Sequence, residues 1–263
     1  MNAAEPIEGI VTQHYAPRDT ENIQAGERCF FTHENAKRID AARAFADTAP
    51  DWARPYLIAP LLVQMSIRAN THGIFNSFCK DKTTGLGAFY EGKKCKELFV
   101  VNAPVFNPHE CEVECTRMDA NALMQTTEKT FDLIYIDSPY NQHSYASNYH
   151  LLNTVAANAM PADVSPNSGI PKEKQGSAYY KKRTIGDAMR DLLANATQKS
   201  AYVLVSFSDE GHLKADDWKS ILEPYTVEIF EKEHRSTLGS RNPKKRGRNE
   251  VKELLYLLSR PAA

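Results

Sequence analysis

What this sequence lacks narrows it first. It has no secretory start: Met1-Asn2-Ala3-Ala4-Glu5-Pro6 shows neither a basic opening nor an apolar run. The longest apolar stretch, Tyr56 to Met65, is too short to cross a bilayer, so no membrane partner is expected. Cysteine is scarce and irregularly spaced, five residues in all. Neither Cys111/Cys115 nor Cys79/Cys95 is joined by a second ligand pair at zinc-site spacing. No metal is expected, and free thiols in a reducing cytoplasm are. Internal repeats and low-complexity tracts are missing as well. Gly85-Leu86-Gly87 follows no buried strand, and a lone Gly-x-Gly is weak support for a nucleotide cradle.

An excess of one charge sign is also absent. The net charge is −1, which by itself points to no polyanionic partner. The balance is uneven along the chain, however. Lys181-Lys182-Arg183 and the run from Arg235 to Lys252, with Arg241, Lys244, Lys245, Arg246 and Arg248, are strongly basic. Such runs are either solvated faces and hairpin tips or contacts to phosphate.

What is present divides by its hydrophobic period. With 263 residues and 42 % hydrophobic content the chain can bury a full core, as one large or two small domains. From Thr32 to Arg68 the pattern is helical: Thr32-x-x-Asn35 opens it, Ile39, Ala42 and Phe45 share a face, and Leu57, Leu61, Leu62 and Met65 continue. A loop-rich stretch, Thr71 to Pro108, follows. Beyond it the period becomes strand-like, with Val113 to Met118 as one strand. Phe131 to Ile136 is a near-continuous apolar strand of the kind covered on both faces. Helices are expected over Tyr145 to Ala157, Thr184 to Thr197 and Asp216 to Leu222. Ala201 to Phe207, Tyr225 to His234 and Val251 to Leu258 are the remaining strands, and Pro161 to Gly176 is a loop or disordered insertion. The expected architecture is α/β, with a helical and loop part over 1–108 and a part over 109–263 built on a largely parallel sheet. Ligands of such sheets bind at the carboxyl ends of the strands, where Asp119 and Asp137 both fall.

Asp137-Ser138-Pro139-Tyr140 carries the chemistry. An exocyclic amine on adenine is a poor nucleophile because its lone pair is delocalised into the ring. Two acceptors for its two N–H hydrogens draw that pair out of conjugation. Asp137 offers one, and the Ser138 carbonyl offers the other if the chain is extended there, as Pro139 requires of the residue before it. Tyr140 adds a flat ring for a flipped base, a stack worth roughly 1–3 kcal/mol. The same tetrapeptide also describes an ordinary strand end and turn. Its setting favours the site: an apolar strand delivers it, and Asn141, His143, Tyr145 and Asn148 extend it with polar and aromatic side chains.

Ile134 to Asn141, continued by Asn148-Tyr149-His150-Leu151-Leu152, resembles motif IV and its downstream helix in the D12 class of adenine-N6 DNA methyltransferases, which includes the FokI-type modification enzymes. Phe31 to Asp40, Ala69 to Gly73, Ser206 to Gly211 and Arg248 to Leu255 are similar to stretches of that family in the same order. The resemblance implies S-adenosylmethionine as methyl donor, double-stranded DNA as partner, and a Rossmann-like methyltransferase sheet. It also implies Asp137, Ser138, Pro139 and Tyr140 as the catalytic constellation. Asp119 and Ala120 would sit at the cofactor's adenine, Asp119 being otherwise a helix cap. Asn141, His143, Tyr145, Asn148, the cluster Lys181, Lys182 and Arg183, and Arg235, Arg241, Lys244, Lys245 and Arg246 would face DNA.

Two departures stand out. Ser138 replaces the family's usual first proline, and the family's Phe-x-Gly-x-Gly segment, which holds the methionine end of the cofactor, is missing. The glycine strand would pair with the strand ending at Asp137, so the sheet is expected to be incomplete and Phe131 to Ile136 to keep an unpaired edge. The chain is then expected to act with a separately encoded amino-terminal methyltransferase subunit or as a longer product of a misplaced start, or else to be an inactive remnant that retains DNA binding. Methylation of RNA or of a protein amide is less favoured, because relatives with those substrates commonly carry Asn at position 137.

Overall fold

The structure, a computed structural model, describes residues 1–142, 144–173, 176–235 and 250–259. It is of mixed α/β class and divides into two compact units, Met1–Glu110 with Tyr145–Gln175 and Cys111–Ser144 with Gly176–Ala263. The first break falls between Glu110 and Cys111. The return of Tyr145–Gln175 to the first unit was not legible from periodicity, and its cause is packing: Leu151 and Val155 are buried in the first unit's core.

In the first unit, α1 (Ile10–Tyr15), α2 (His33–Asp47) and α3 (Arg54–Arg68) are joined by α5 (Tyr145–Asn148) and α6 (His150–Ala157), with α4 (Ala120–Thr126) belonging to the second. Helix α2 starts where expected, the Thr32 side chain accepting the Asn35 N–H. Ile39 and Ala42 face the core, whereas Phe45, expected beside them, is exposed. The core is aromatic: the Phe30 ring meets Phe75 and Phe78, and Tyr15 meets Phe30 and His150. The helix expected over Tyr145 to Ala157 is broken at Tyr149 (φ −120°, ψ 22°). The Asn148 carbonyl accepts the Phe75 N–H at 2.8 Å and so leaves the helical ladder. The loop 161–173 carries a single bridge between Val164 and Pro171.

Gly85-Leu86-Gly87 is a turn of this unit. Gly85 has φ +72°, and a Cβ on Gly87 would lie 2.2 Å from the Cys29 sulfur. Close packing explains the second glycine.

The second unit is a sheet with helices on one face. Strands β1 (Phe131–Ile136), β2 (Ser200–Ser208), β3 (Thr226–Arg235) and β4 (Glu250–Ser259) lie in the order β1-β2-β4-β3. Only β1 and β2 are parallel; β4 is antiparallel to both neighbours, so the sheet is mixed and not largely parallel. Helices α7 (Ile185–Lys199) and α8 (Ala215–Leu222) bury Ile185, Met189, Leu193 and Trp218 with Val203, Val205, Phe207 and Leu258. The β1 strand is not covered on both faces as its composition suggested: Leu133 and Tyr135 are 49 % and 57 % exposed. Nor is Val113 to Met118 a strand. It runs exposed and without a ladder partner, because a strand exists only by pairing and this segment has no described neighbour to pair with.

Candidate active site

Asp137 follows the last residue of β1, so the strand presents its carboxylate, exposed, at the carboxyl end of the parallel pair. The turn beyond it is anchored at its far end. The Tyr140 carbonyl accepts the His212 N–H at 2.7 Å, and the Tyr140 ring stands edge-on to Phe207 with centroids 5.7 Å apart. Phe207 is nearly at the end of β2, the parallel neighbour of β1, so the ladder itself brings the two aromatics together. Gly211 completes the support. A Cβ there would come within 2.3 Å of the Phe207 ring and 3.0 Å of the Ser208 carbonyl, so any larger residue displaces the ring that backs Tyr140. His212 and Phe207 were not singled out as site residues in the sequence, although Ser206 to Gly211 was among the family-like stretches.

Ser138 is buried, and its hydroxyl has no hydrogen-bond partner. A proline ring at this position would leave no such group.

Residues 10–168 match the family of D12 class N6 adenine-specific DNA methyltransferases. The chain belongs to that family. It is 28 % identical over 270 residues to the type II methyltransferase M.FokI of Planomicrobium okeanokoites, covering 97 % of this chain and 38 % of that protein. With the modification methylase StsI of Streptococcus sanguinis it shares 27 % identity over 89 % of the chain and 35 % of the relative. With the type II methyltransferase M.NlaIII of Neisseria lactamica it shares 25 %, over 97 % of this chain and 73 % of the relative. The chain thus spans little more than a third of the first two relatives. No solved structure matches it significantly.

The remaining expected site residues of this D12-class chain fall in different settings. Asp119 is the N-cap of α4: one carboxylate oxygen accepts the N–H groups of Asn121 and Ala122 at 3.0 and 3.1 Å, and Ala120 is the first helical residue. Asp119 does not end a strand. The helix it caps is tied to α7 through Asn121, which donates to Asp191 at 2.6 Å and accepts from the Tyr179 hydroxyl at 2.7 Å. Burial first, then the charges of Asp119 and Asp191, push the Tyr179 pKa upward, so it stays a donor.

Tyr145 and Asn148 belong to the first unit. Tyr145 is exposed beside Tyr149, at 6.0 Å between centroids. Asn148 is buried, its side-chain oxygen accepting from Asn76 at 2.8 Å, so it holds the 75–76 loop. In the second unit Asn141 is half-buried, and Lys181, Lys182 and Arg183 are exposed just ahead of α7. Arg235 ends β3. His143, Arg241, Lys244, Lys245 and Arg246 lie outside the described residues.

The residues expected at the donor's adenine end, Asp119 and Ala120, lie at an exposed helix start. Asp119 and Asp137 are both exposed, one oxygen of Asp119 is engaged as a cap, and the Gly-x-Gly turn is packed in the other unit. The 810 Å³ groove of this unit, lined by Trp218, Tyr225, Val227 and Tyr256, includes neither carboxylate.

Proposed function

We propose that this chain is the adenine-binding part of a methyltransferase that modifies adenine N6 in double-stranded DNA, in the manner of restriction-modification enzymes. The observation that supports this most is an exposed Asp137 at the end of β1, followed by a turn anchored through Tyr140 to Phe207 and His212. Asp137 and the Ser138 carbonyl accept the two hydrogens of the amine and localise its lone pair. Pro139 keeps Ser138 extended so that both acceptors lie on one edge of the base. Tyr140, backed by Phe207, is the stacking platform for the flipped ring. S-adenosylmethionine, the family's donor, brings an electrophilic methyl group. Asp119 and Ala120 are our candidates for its adenine end, and a separately encoded amino-terminal subunit for its methionine end.

The test is transfer of labelled methyl from S-adenosylmethionine to plasmid DNA by the full chain, with and without the product of the adjacent gene. Asp137→Ala is expected to lower transfer by at least roughly 10²–10³-fold while leaving DNA affinity nearly unchanged. Retention of activity within about tenfold of the parent would remove Asp137 from the chemistry. An exposed Asp119 also suits an inactive remnant that keeps DNA binding, and the same assay separates the two: no transfer in either arm, with DNA affinity intact, selects the remnant.

Lys181–Arg183, Arg235 and the Arg241–Arg246 run are proposed to bind phosphates, with Asn141, His143, Tyr145 and Asn148 on the DNA side. Neutralising Lys244, Lys245 and Arg246 is expected to flatten the salt dependence of DNA binding, the slope falling by about one for each phosphate that is no longer neutralised. An unchanged slope returns them to solvent.

A further inference from the structure

Helix α4 is too short and too polar to be held by hydrophobic packing. Of its seven residues Met124 alone is buried, with Leu123 partly packed against the core. A helix of this length is marginal in water by itself. Hydrogen bonds fix it instead. The Asp191 carboxylate on α7 accepts from Asn121 at 2.6 Å and from Gln125 at 3.0 Å, one turn apart on α4, and from Asn195 at 3.2 Å.

Asn121 is the centre of this arrangement. One hydrogen of its amide goes to Asp191 and the other to the Ala188 carbonyl at 2.9 Å, while its oxygen accepts the Tyr179 hydroxyl at 2.7 Å. Its backbone N–H is one of the two that the Asp119 carboxylate caps. An aspartate here would set a second acceptor against both Asp191 and Ala188, so the position calls for an amide.

Tyr179 carries the connection onward. It is 5 % exposed and lies in the turn Ala178–Tyr180, immediately ahead of the exposed Lys181, Lys182 and Arg183. The basic turn is closed from its other side as well. The Lys181 carbonyl accepts the Thr184 and Ile185 N–H groups at 3.1 and 3.0 Å, and the Thr184 hydroxyl donates to the Ala178 carbonyl at 2.7 Å. The three cations are thus mounted on a short span between a buried ring and the start of α7.

We propose that Asn121 is a positioning residue joining two ends of the site: through α4 it sets Asp119, and through Tyr179 it braces the Lys181–Arg183 turn, so that DNA held at that turn stiffens the cofactor end. The inference rests on the functional reading above, in which Asp119 meets the adenine end of S-adenosylmethionine and the basic turn meets phosphate. Asn121 touches neither ligand. It acts because a network whose donors and acceptors are all engaged tightens as a whole. Ordering α4 once then lowers the cost of ordering it for the second ligand.

Hydrogen exchange on the full chain, with and without a duplex oligonucleotide, tests this. The Asn121 and Ala122 amides, which Asp119 caps, are expected to exchange at least about threefold more slowly with duplex present. Tyr179→Phe keeps the buried ring and cuts the link. It is expected to lose that slowing while binding duplex within about threefold of the parent, because the cations remain. Gln125→Ala loosens α4 without touching Tyr179 and is expected to keep the slowing. Asp137→Ala is expected to respond as the parent does, so that coupling and methyl transfer are read separately. Replacing Lys181, Lys182 and Arg183 by alanine is expected to remove the response and to lower the salt slope of DNA binding by about one for each phosphate given up. An unchanged slope would overturn the phosphate reading and this proposal with it. A lowered slope, with Asn121 and Ala122 of the parent exchanging alike in the presence and absence of duplex, would overturn the coupling alone. The coupling is also overturned if Tyr179→Phe responds like the parent, or if Gln125→Ala loses the response as Tyr179→Phe does.

Discussion

The two units solve the same problem, burying a polar backbone with few residues to spare, in opposite ways. The first closes its core with buried polar side chains that each satisfy several backbone groups. Asp40 accepts from the N–H groups of Gly9, Val11 and Thr12 and from the Thr12 hydroxyl, at 2.6–2.9 Å. Asn35 receives the Phe99 N–H and donates to the Cys95 and Glu97 carbonyls, and Asn70 donates to the Cys29 and Ala88 carbonyls. The second relies on ladder pairing and helix burial, and among the described residues one face of its sheet and the outer side of β1 are left open. Asn35, Asn70 and Asn148 in the first unit therefore hold the scaffold, while Asp137 in the second is presented outward.

Substituting a hub is the strongest way to break this contrast. Asp40→Ala strands three backbone donors, two of them on buried residues, and is expected to cost about 3–5 kcal/mol. Equilibrium unfolding in denaturant measures it, and a loss under about 1 kcal/mol would mean that water replaces the carboxylate easily.

Acid should separate the units next. His150 is buried, and its Nε2–H donates to the Phe75 carbonyl at 3.0 Å. Burial pushes its pKa below the ordinary value and nearby Arg28 adds to this, against the raising effect of that hydrogen bond. The unfolded chain thus takes up a proton that the folded one resists, so the stability is fully present above about pH 6.5 and is lost as pH falls below it. His150→Gln keeps a donor for Phe75 and should flatten the dependence. Melting curves between about pH 5 and 8 check this, and an equal slope in parent and variant would refute it.

Ser138→Ala is the smallest change. Removing the orphaned hydroxyl should raise stability by about 1 kcal/mol and leave methyl transfer intact, since the carbonyl is the group proposed to act. A thermal scan decides the sign, and destabilisation would mean that the hydroxyl has a bound partner.

Elements with their own periodicity were legible in the sequence: α2, α3, α7, β2 and the β3–β4 pair all appear where the apolar pattern put them. What failed was everything decided by neighbours. Val113 to Met118 has a strand-like composition and no strand beside it among the described residues. Phe131 to Ile136 looks buried by composition, yet composition cannot tell which faces are clothed. The break at Tyr149 comes from a hydrogen bond to Phe75, far away in sequence. At the candidate site the tetrapeptide was visible because it is contiguous. Its supports, Phe207 and His212, were not, because only the parallel register of β1 and β2 brings them to it.

The interleaved path of the chain has a consequence for biogenesis. The polypeptide passes between the units at 110/111, 144/145 and 175/176. The first unit, emerging first from the ribosome, lacks Leu151 and Val155 of its core until residues far downstream have been made, and by then β1 has emerged without β2. Neither unit can finish before synthesis has passed well into the other, so the nascent chain exposes β1 throughout that interval. A single cut near residue 110 would leave two fragments, the first still lacking the helix that completes its core.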